Sequence, residues 1–297
     1  NPALAGRCGP RRQKAGGGGQ LLRGGMLARV EGEGGMHIEI HNNVAQSVKL
    51  NLFEPPRFYE AFLRGRLYTE PPDITARICG ICPVAYQTAS VEAIEQICGA
   101  ETTPAIQALR RLLYCGEWIE SHSLHIFMLH APDFLGFDSV IEMAADHGDV
   151  VKMALRLKKA GNDLMTLVGG RAIHPVNVKV GGFYRMPTKL EMLALRPSLA
   201  RGLEEAFETI KLVATFDFPE MEQAYEYVAL HHPDYYAIER GTVISTSGAA
   251  FPVREFAEHV KEFHVQHPNA LHAQLDGGMD MVGPPARPTP NLPQLSE

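Results

Sequence analysis

Two cysteines three residues apart carry the sharpest chemical signal in this chain. They lie in Arg77-Ile78-Cys79-Gly80-Ile81-Cys82-Pro83. Cys79 and Cys82 can chelate one soft transition metal or cycle as a dithiol. Both uses need thiolates at neutral pH. Pro83 suits the first position of a helix, so Cys82 falls at a helix N-terminus, where the dipole favours the thiolate. Arg77 adds a fixed positive charge nearby. Gly80 is expected to let the backbone turn so that the two sulfurs converge.

The remaining ligands of a four-thiolate site are not visible. Cys8, Cys98 and Cys115 are single and scattered. Structural zinc wants four tetrahedral ligands, commonly from two pairs, and no second pair follows. A thioredoxin-like motif would follow a strand, and Pro71-Pro72-Asp73-Ile74-Thr75 is a poor strand. His122 and His125 share one helix face, but no carboxylate or cysteine completes a metal set, so they read as packed or hydrogen-bonded. On residue type alone, Glu31 in a glycine-rich turn and Glu60 on a short helix read as exposed charges, and Trp118 as core.

The elements around the pair are mainly helical. Residues 36–40 alternate, His41-Asn42-Asn43 turn, and residues 44–52 carry apolar side chains at Val44, Val48, Leu50 and Leu52, which predicts a β-hairpin. A short helix is expected over residues 57–67. From Pro83 the apolar residues repeat at helical spacing to Ile97, with Gly99 as the stop. Thr103-Pro104 opens a helix running to about residue 130. Further long helices are predicted over residues 150–168 and 188–215. Val243-Ile244-Ser245 reads as a strand, residues 252–263 as a short helix, and the proline-rich last fourteen residues as an extended segment. The fold class is mainly α with a small N-terminal β element.

Composition bounds the rest. The chain has 297 residues, is 45% hydrophobic and 21% charged, and carries a net charge of −6. That is long enough for a large core and gives no electrostatic reason to expect nucleic acid. No apolar run reaches the roughly eighteen residues of a membrane span. Five cysteines without framework spacing argue against a secreted disulfide scaffold and for a reducing, cytoplasmic compartment. Residues 1–25 are rich in Gly, Arg and Pro and read as a disordered or non-native tail, leaving 26–297 as one domain.

The motif Arg77-Ile78-Cys79-Gly80-Ile81-Cys82-Pro83-Val84-Ala85-Tyr86-Gln87 resembles the first cysteine motif of the large, catalytic subunit of nickel–iron hydrogenases. It is most similar to the soluble, NADP-linked sulfhydrogenase group, in its alpha subunit. Arg29-Val30-Glu31-Gly32 resembles that family's Arg-x-Glu-Gly signature. Phe53-Glu54-Pro55-Pro56-Arg57-Phe58-Tyr59-Glu60, Gly116-Glu117-Trp118-Ile119-Glu120-Ser121-His122, His125-Ile126-Phe127-Met128-Leu129-His130-Ala131-Pro132-Asp133-Phe134 and Gly169-Gly170-Arg171-Ala172-Ile173-His174-Pro175 resemble further segments of it.

The resemblance implies roles. Cys79 and Cys82 match two nickel-binding thiolates, with Cys82 also bridging to an iron that carries CO and cyanide. Glu31 matches a glutamate that shuttles protons from a nickel-bound cysteine, and Glu60 one that holds a deeper magnesium or iron ion. Arg77 supports the thiolates electrostatically. The activity implied is reversible H2 oxidation, with protons as the other substrate, coupled to NAD(P). Electrons would leave through iron–sulfur clusters on a small subunit and through diaphorase-type subunits carrying flavin and NAD(P), since this chain lacks the cysteines for clusters.

Two departures stand out. Tyr86 takes a place where many family members have His, and the family's second Cys-x-x-Cys is absent. The expectation is therefore an incomplete large subunit, inactive by itself. The alternatives are a non-catalytic scaffold that keeps partner contacts, and a zinc or dithiol module.

Overall fold

The computed structural model describes residues 11–15, 19–24, 27, 34–52, 57–220, 222–266, 269–276, 278 and 280–292. They fall into two units. One comprises residues 57–218, and the other is built from both ends of the chain, residues 1–56 and 219–297.

The N-terminal sheet is a four-stranded antiparallel meander of β1 (Arg11–Ala15), β2 (Gly19–Gly24), β3 (Gly34–His41) and β4 (Val44–Leu52). Its predicted hairpin is β3–β4. Asn42 and Asn43 form the two-residue turn with φ of 52° and 61°. Asparagine tolerates that left-handed backbone, whose twist matches the flanking strands. β1 and β2 lie where a disordered tail was expected. Main-chain pairing to the edge of β3 needs no apolar period, so composition carried no trace of it.

The helical unit begins with α1 (Tyr59–Leu63) and α2 (Pro71–Thr75), then a 3-10 turn at Ala76–Ile78. α3 (Pro83–Cys98) stops at Gly99, whose φ of 62° is left-handed. α4 (Pro104–Ser123) starts at Thr103, whose hydroxyl accepts the Ile106 N–H. It runs into a π-helical stretch, Leu124–His130, in which the Ala131 N–H donates to the Ile126 carbonyl. α5 (Ala131–Leu135), α6 (Val140–Asp146) and α7 (Gly148–Gly169) follow. β5 (Val178–Lys179) and β6 (Gly182–Phe183) pair as a short hairpin. α8 (Lys189–Val213) opens with a capping box made by Thr188 and Glu191.

The core of this unit joins α3, α4 and α7. Val84, Val91, Leu109, Leu113, Leu164, Met165 and Val168 pack together with Val178 and Phe183 of the hairpin. α4 and α7 approach closely because each has a glycine at the crossing. A Cβ on Gly161 would lie 2.6 Å from the Glu120 backbone nitrogen and 2.7 Å from the Gly116 oxygen, closer than packed atoms tolerate. One polar element is sealed inside. Arg110 donates two hydrogen bonds to Glu95, at 2.8 and 2.6 Å. The Gly181 N–H reaches the same carboxylate at 2.7 Å, so α3, α4 and the β5–β6 hairpin are tied together.

The C-terminal residues of the other unit form a second sheet. Its order is β12 (Asp280–Met281), β7 (Glu226–His231), β8 (Thr242–Ser245) and β9 (Ala250–Pro252), with β12 parallel to β7. The helix predicted over residues 252–263 is only a 3-10 turn, Val253–Glu255, and one turn of α9 (Phe256–His259). Residues Val260–Phe263 are instead β10, paired with β11 (His272–Leu275). The proline-rich end is not wholly extended either. It contains α10 (Pro288–Asn291), anchored by the fully buried Asn291, whose amide donates to the Leu230 and Arg287 carbonyls. No described helix is long and apolar enough to cross a membrane.

Candidate metal centre

The sequence places Cys79 and Cys82 on either side of a short loop, and the fold brings their sulfurs together. Cys79 follows the 3-10 turn in an extended conformation, and Cys82 is the residue before the first turn of α3. Their Cα atoms are 5.4 Å apart and the sulfurs are joined as a disulfide. The Cys82 N–H donates to Cys79 Sγ at 3.2 Å. Both residues are half-buried, which leaves the pair open on one side. Gly80 is not what closes the loop. Its φ is not left-handed, and a Cβ there would meet nothing within 4 Å.

The approach to Cys79 is clamped from α1. Tyr59 Oη donates to the Arg77 carbonyl at 2.8 Å, and Arg57 donates to the Ile78 carbonyl at 3.0 Å. One residue before Arg77, the Ala76 carbonyl oxygen lies 2.7 Å from His174 Nδ1. Arg77 is exposed, and its charge also acts on Asp73, whose carboxyl is raised by burial against the pull of Arg77 and Arg171.

Cys82 has no helix cap of its own, since its side chain makes no capping hydrogen bond. The cap comes from α4. Glu117 Oε2 accepts the Val84 N–H at 2.5 Å and the carboxylate also receives the Ala85 N–H. Glu117 is 2% exposed. Burial pushes its carboxyl up from 4.5 to about 7, against those two N–H groups, and the nearby Glu120 charge adds to the rise. Glu120 is itself buried and paired with Lys158.

This upward shift has a signed consequence. The folded state holds the Glu117 proton more tightly than the unfolded chain. Below about pH 4.5 both states are protonated and the group costs nothing. Above about pH 7 both are ionised, and the folded state bears a cost of about 3 kcal/mol. Stability from this group is therefore lost as pH rises from about 4.5 through about 7. Urea denaturation of Glu117→Gln should show that dependence removed, so that the parent loses about 3 kcal/mol relative to the variant between about pH 5 and about pH 8. Parallel pH dependences for the two proteins would contradict the assignment.

The other predicted residues are not gathered here. Glu31 lies outside the described residues. Glu60 is exposed on α1. Cys98 is exposed and Cys115 half-buried, and neither forms part of the sulfur pair. His122 lies against the Trp118 ring and His125 against His130. Among the described residues, no three His, Cys, Asp or Glu side chains cluster as a metal set. Reduced to thiols, the two cysteines supply two convergent, half-buried sulfur donors of the kind a soft metal takes.

Glu117 was not singled out by its sequence, although a signal existed. Leu109, Leu113, Gly116, Glu117 and Glu120 fall on one buried stripe of α4. Carboxylates on an apolar stripe need partners, and partners inside a fold mark structure or chemistry.

Comparison with known proteins now bears on this geometry. Residues 57–154, which hold both cysteines and Glu117, match the family described as nickel-dependent hydrogenase. The chain is 36% identical over 259 residues to the sulfhydrogenase 1 subunit alpha of Pyrococcus furiosus, covering 86% of this chain and 60% of that protein. It is 43% identical over 166 residues to the sulfhydrogenase 2 subunit alpha of the same organism, covering 56% of this chain and 40% of that one. The chain thus spans about three fifths or less of the length of these relatives. In fold it is similar to an NAD+-reducing nickel–iron hydrogenase, with a TM-score of 0.77 at 24% identity over 93% of this chain and 66% of the other. The Ni-Fe-Se hydrogenase of D. vulgaris Hildenborough gives a TM-score of 0.76 at 21% identity, over 91% of this chain and 66% of that one. The chain is thus similar in sequence to the sulfhydrogenase alpha subunits, matches the nickel-dependent hydrogenase family over residues 57–154, and shares the fold of solved nickel-containing hydrogenases.

Proposed function

We propose that this chain is the catalytic large subunit, or part of it, of a cytoplasmic nickel–iron hydrogenase that oxidises H2 reversibly and passes electrons to NAD(P) through partner subunits. The observation that carries the reading is the convergence of Cys79 and Cys82 at the start of α3, inside the residues that match the family.

Cys79 and Cys82 would hold nickel through their sulfurs, and Cys82 would share its sulfur with iron. When bound, the metal pair supplies the polarisation that makes H2 acidic enough to give up a proton. Soft thiolates are the donors such metals prefer. The chain's own work is to present those sulfurs deprotonated and to accept the proton. A cysteine Sγ takes it first, and the Glu31 carboxyl relays it onward. Arg77 favours the thiolate form by its charge, and Glu60 is assigned to a magnesium ion. An iron–sulfur small subunit and diaphorase-type subunits with flavin would receive the electrons. Cys79 and Cys82 are joined as a disulfide and give two sulfur donors once reduced, so the isolated chain is expected to be inactive.

Metal analysis of the chain purified anaerobically in its native complex, with H2-dependent dye reduction, tests the assignment. Nickel and iron together with activity support it. Zinc alone would replace it by a zinc module, and no metal at all by a scaffold that keeps only partner contacts.

A further inference from the structure

Cysteine is a poor helix cap, and Cys82 stands in the capping position of α3. Its side chain is turned to Cys79 instead. Pro83 has no N–H to offer, so the first donors of the helix are the N–H groups of Val84 and Ala85. Both go to Glu117, a residue thirty-three positions further on and on another helix. A carboxylate buried to 2% exposure is a costly way to cap a helix. It makes sense where the local residue is committed to other chemistry.

We propose that Glu117 is a positioning residue for the cysteine pair: by holding the Val84 and Ala85 N–H groups it fixes the first turn of α3, and so the direction from which Cys82 Sγ meets Cys79 Sγ. The anchor is stiff. Glu117 follows Gly116, at the crossing where α4 packs against α7 with no room for a Cβ on Gly161. Val84, which donates to Glu117, is itself fully buried in the core that joins the three helices. The charged groups around Glu117 are Glu120 on the next turn of α4 and Lys158 of α7, which pairs with Glu120. Ahead of Cys79, Tyr59 and Arg57 hold the Arg77 and Ile78 carbonyls. Each cysteine therefore has its own clamp, and Glu117 is the one for Cys82. This inference rests on Cys79 and Cys82 acting as a pair, as the proposed function requires.

The test reads how well the sulfurs are pre-positioned, without any metal. In a glutathione buffer the two thiols give two protons and two electrons to one oxidised glutathione, which yields the protein disulfide and two reduced glutathiones. The equilibrium constant on the full chain is followed by alkylation and mass spectrometry of the Cys79–Cys82 peptide. Glu117→Ala should shift it toward the dithiol by about tenfold, the worth of a lost hydrogen bond to a charged group. Glu117→Gln keeps one acceptor oxygen and should shift it less. Should the alanine variant not fold, the isosteric glutamine variant decides. Glu205→Gln is the control, since it breaks the Arg156–Glu205 pair and should lower stability while leaving the equilibrium unmoved. The proposal is overturned if neither Glu117 variant departs from the parent, or if the Glu205 variant shifts as far. A separate Ni(II) titration of the reduced parent, read by its thiolate charge-transfer absorption, bears on the nickel assignment. Absence of that band alongside a clear Glu117 effect would remove nickel and leave the positioning role. A band with no Glu117 effect would do the reverse.

Discussion

On the proposed function, Cys82→Ser should strip the native complex of nickel and iron. Changes to residues that merely orient a metal ligand cost up to about a hundredfold in affinity, so loss of the proposed ligand itself should cost more than about a hundredfold. Serine keeps nearly the same shape but offers a hard, protonated oxygen where the site needs a soft thiolate. Cys98→Ser serves as the comparison. Cys98 ends α3 and is exposed, away from the sulfur pair, so its replacement should leave the metal content unchanged. The measurement is metal stoichiometry by mass spectrometry after anaerobic purification. Nickel retained in full by Cys82→Ser would end the assignment of this residue as a ligand.

The largest effect on stability is expected at Arg110. Its guanidinium is 2% exposed and the partner Glu95 carboxylate 6%. Removing one member of a buried pair leaves the other charge without compensation, which costs about 3–5 kcal/mol. Arg110→Ala should lose that much in urea denaturation, since the Glu95 carboxylate and the Gly181 N–H then share a cavity with no cation. Replacing both partners, as in Glu95→Leu with Arg110→Met, should restore most of the loss, because apolar side chains of similar volume carry no desolvation cost. A double variant as unstable as Arg110→Ala would show that the cost comes from packing rather than from charge.

Much of the helical unit was legible in its residues. Thr103-Pro104 and Thr188 with Glu191 are start signals that act within one turn, and Gly99 stops α3 through its own backbone freedom. The β3–β4 hairpin was readable for the same reason, because Asn42-Asn43 sets its turn locally. What escaped depends on distant partners. Val260–Phe263 has no strand signature of its own and becomes extended by pairing with His272–Leu275. α10 forms where Asn291 finds the Leu230 carbonyl, sixty-one residues away. β1 and β2 lack any apolar rhythm and are held by main-chain pairing.

The candidate site divides along the same line. Cys79 and Cys82 announce themselves by spacing, and the fold joins them. The residues that hold them are invisible to spacing. Glu117, Tyr59 and Arg57 reach the loop from other helices and from chain far along the sequence. Gly80, which spacing made prominent, lies in open space.

The π-helical stretch at Leu124–His130 amounts to one surplus residue accommodated by widening the coil. The widened coil absorbs that residue, so excising it there would restore regular pitch and leave the Ala131–Leu135 turn near its present phase. A deletion in the regular turns of α4, where nothing absorbs it, would swing the far end by about 100° around the axis. Ala131 and Pro132, both sealed inside, would then rotate toward water.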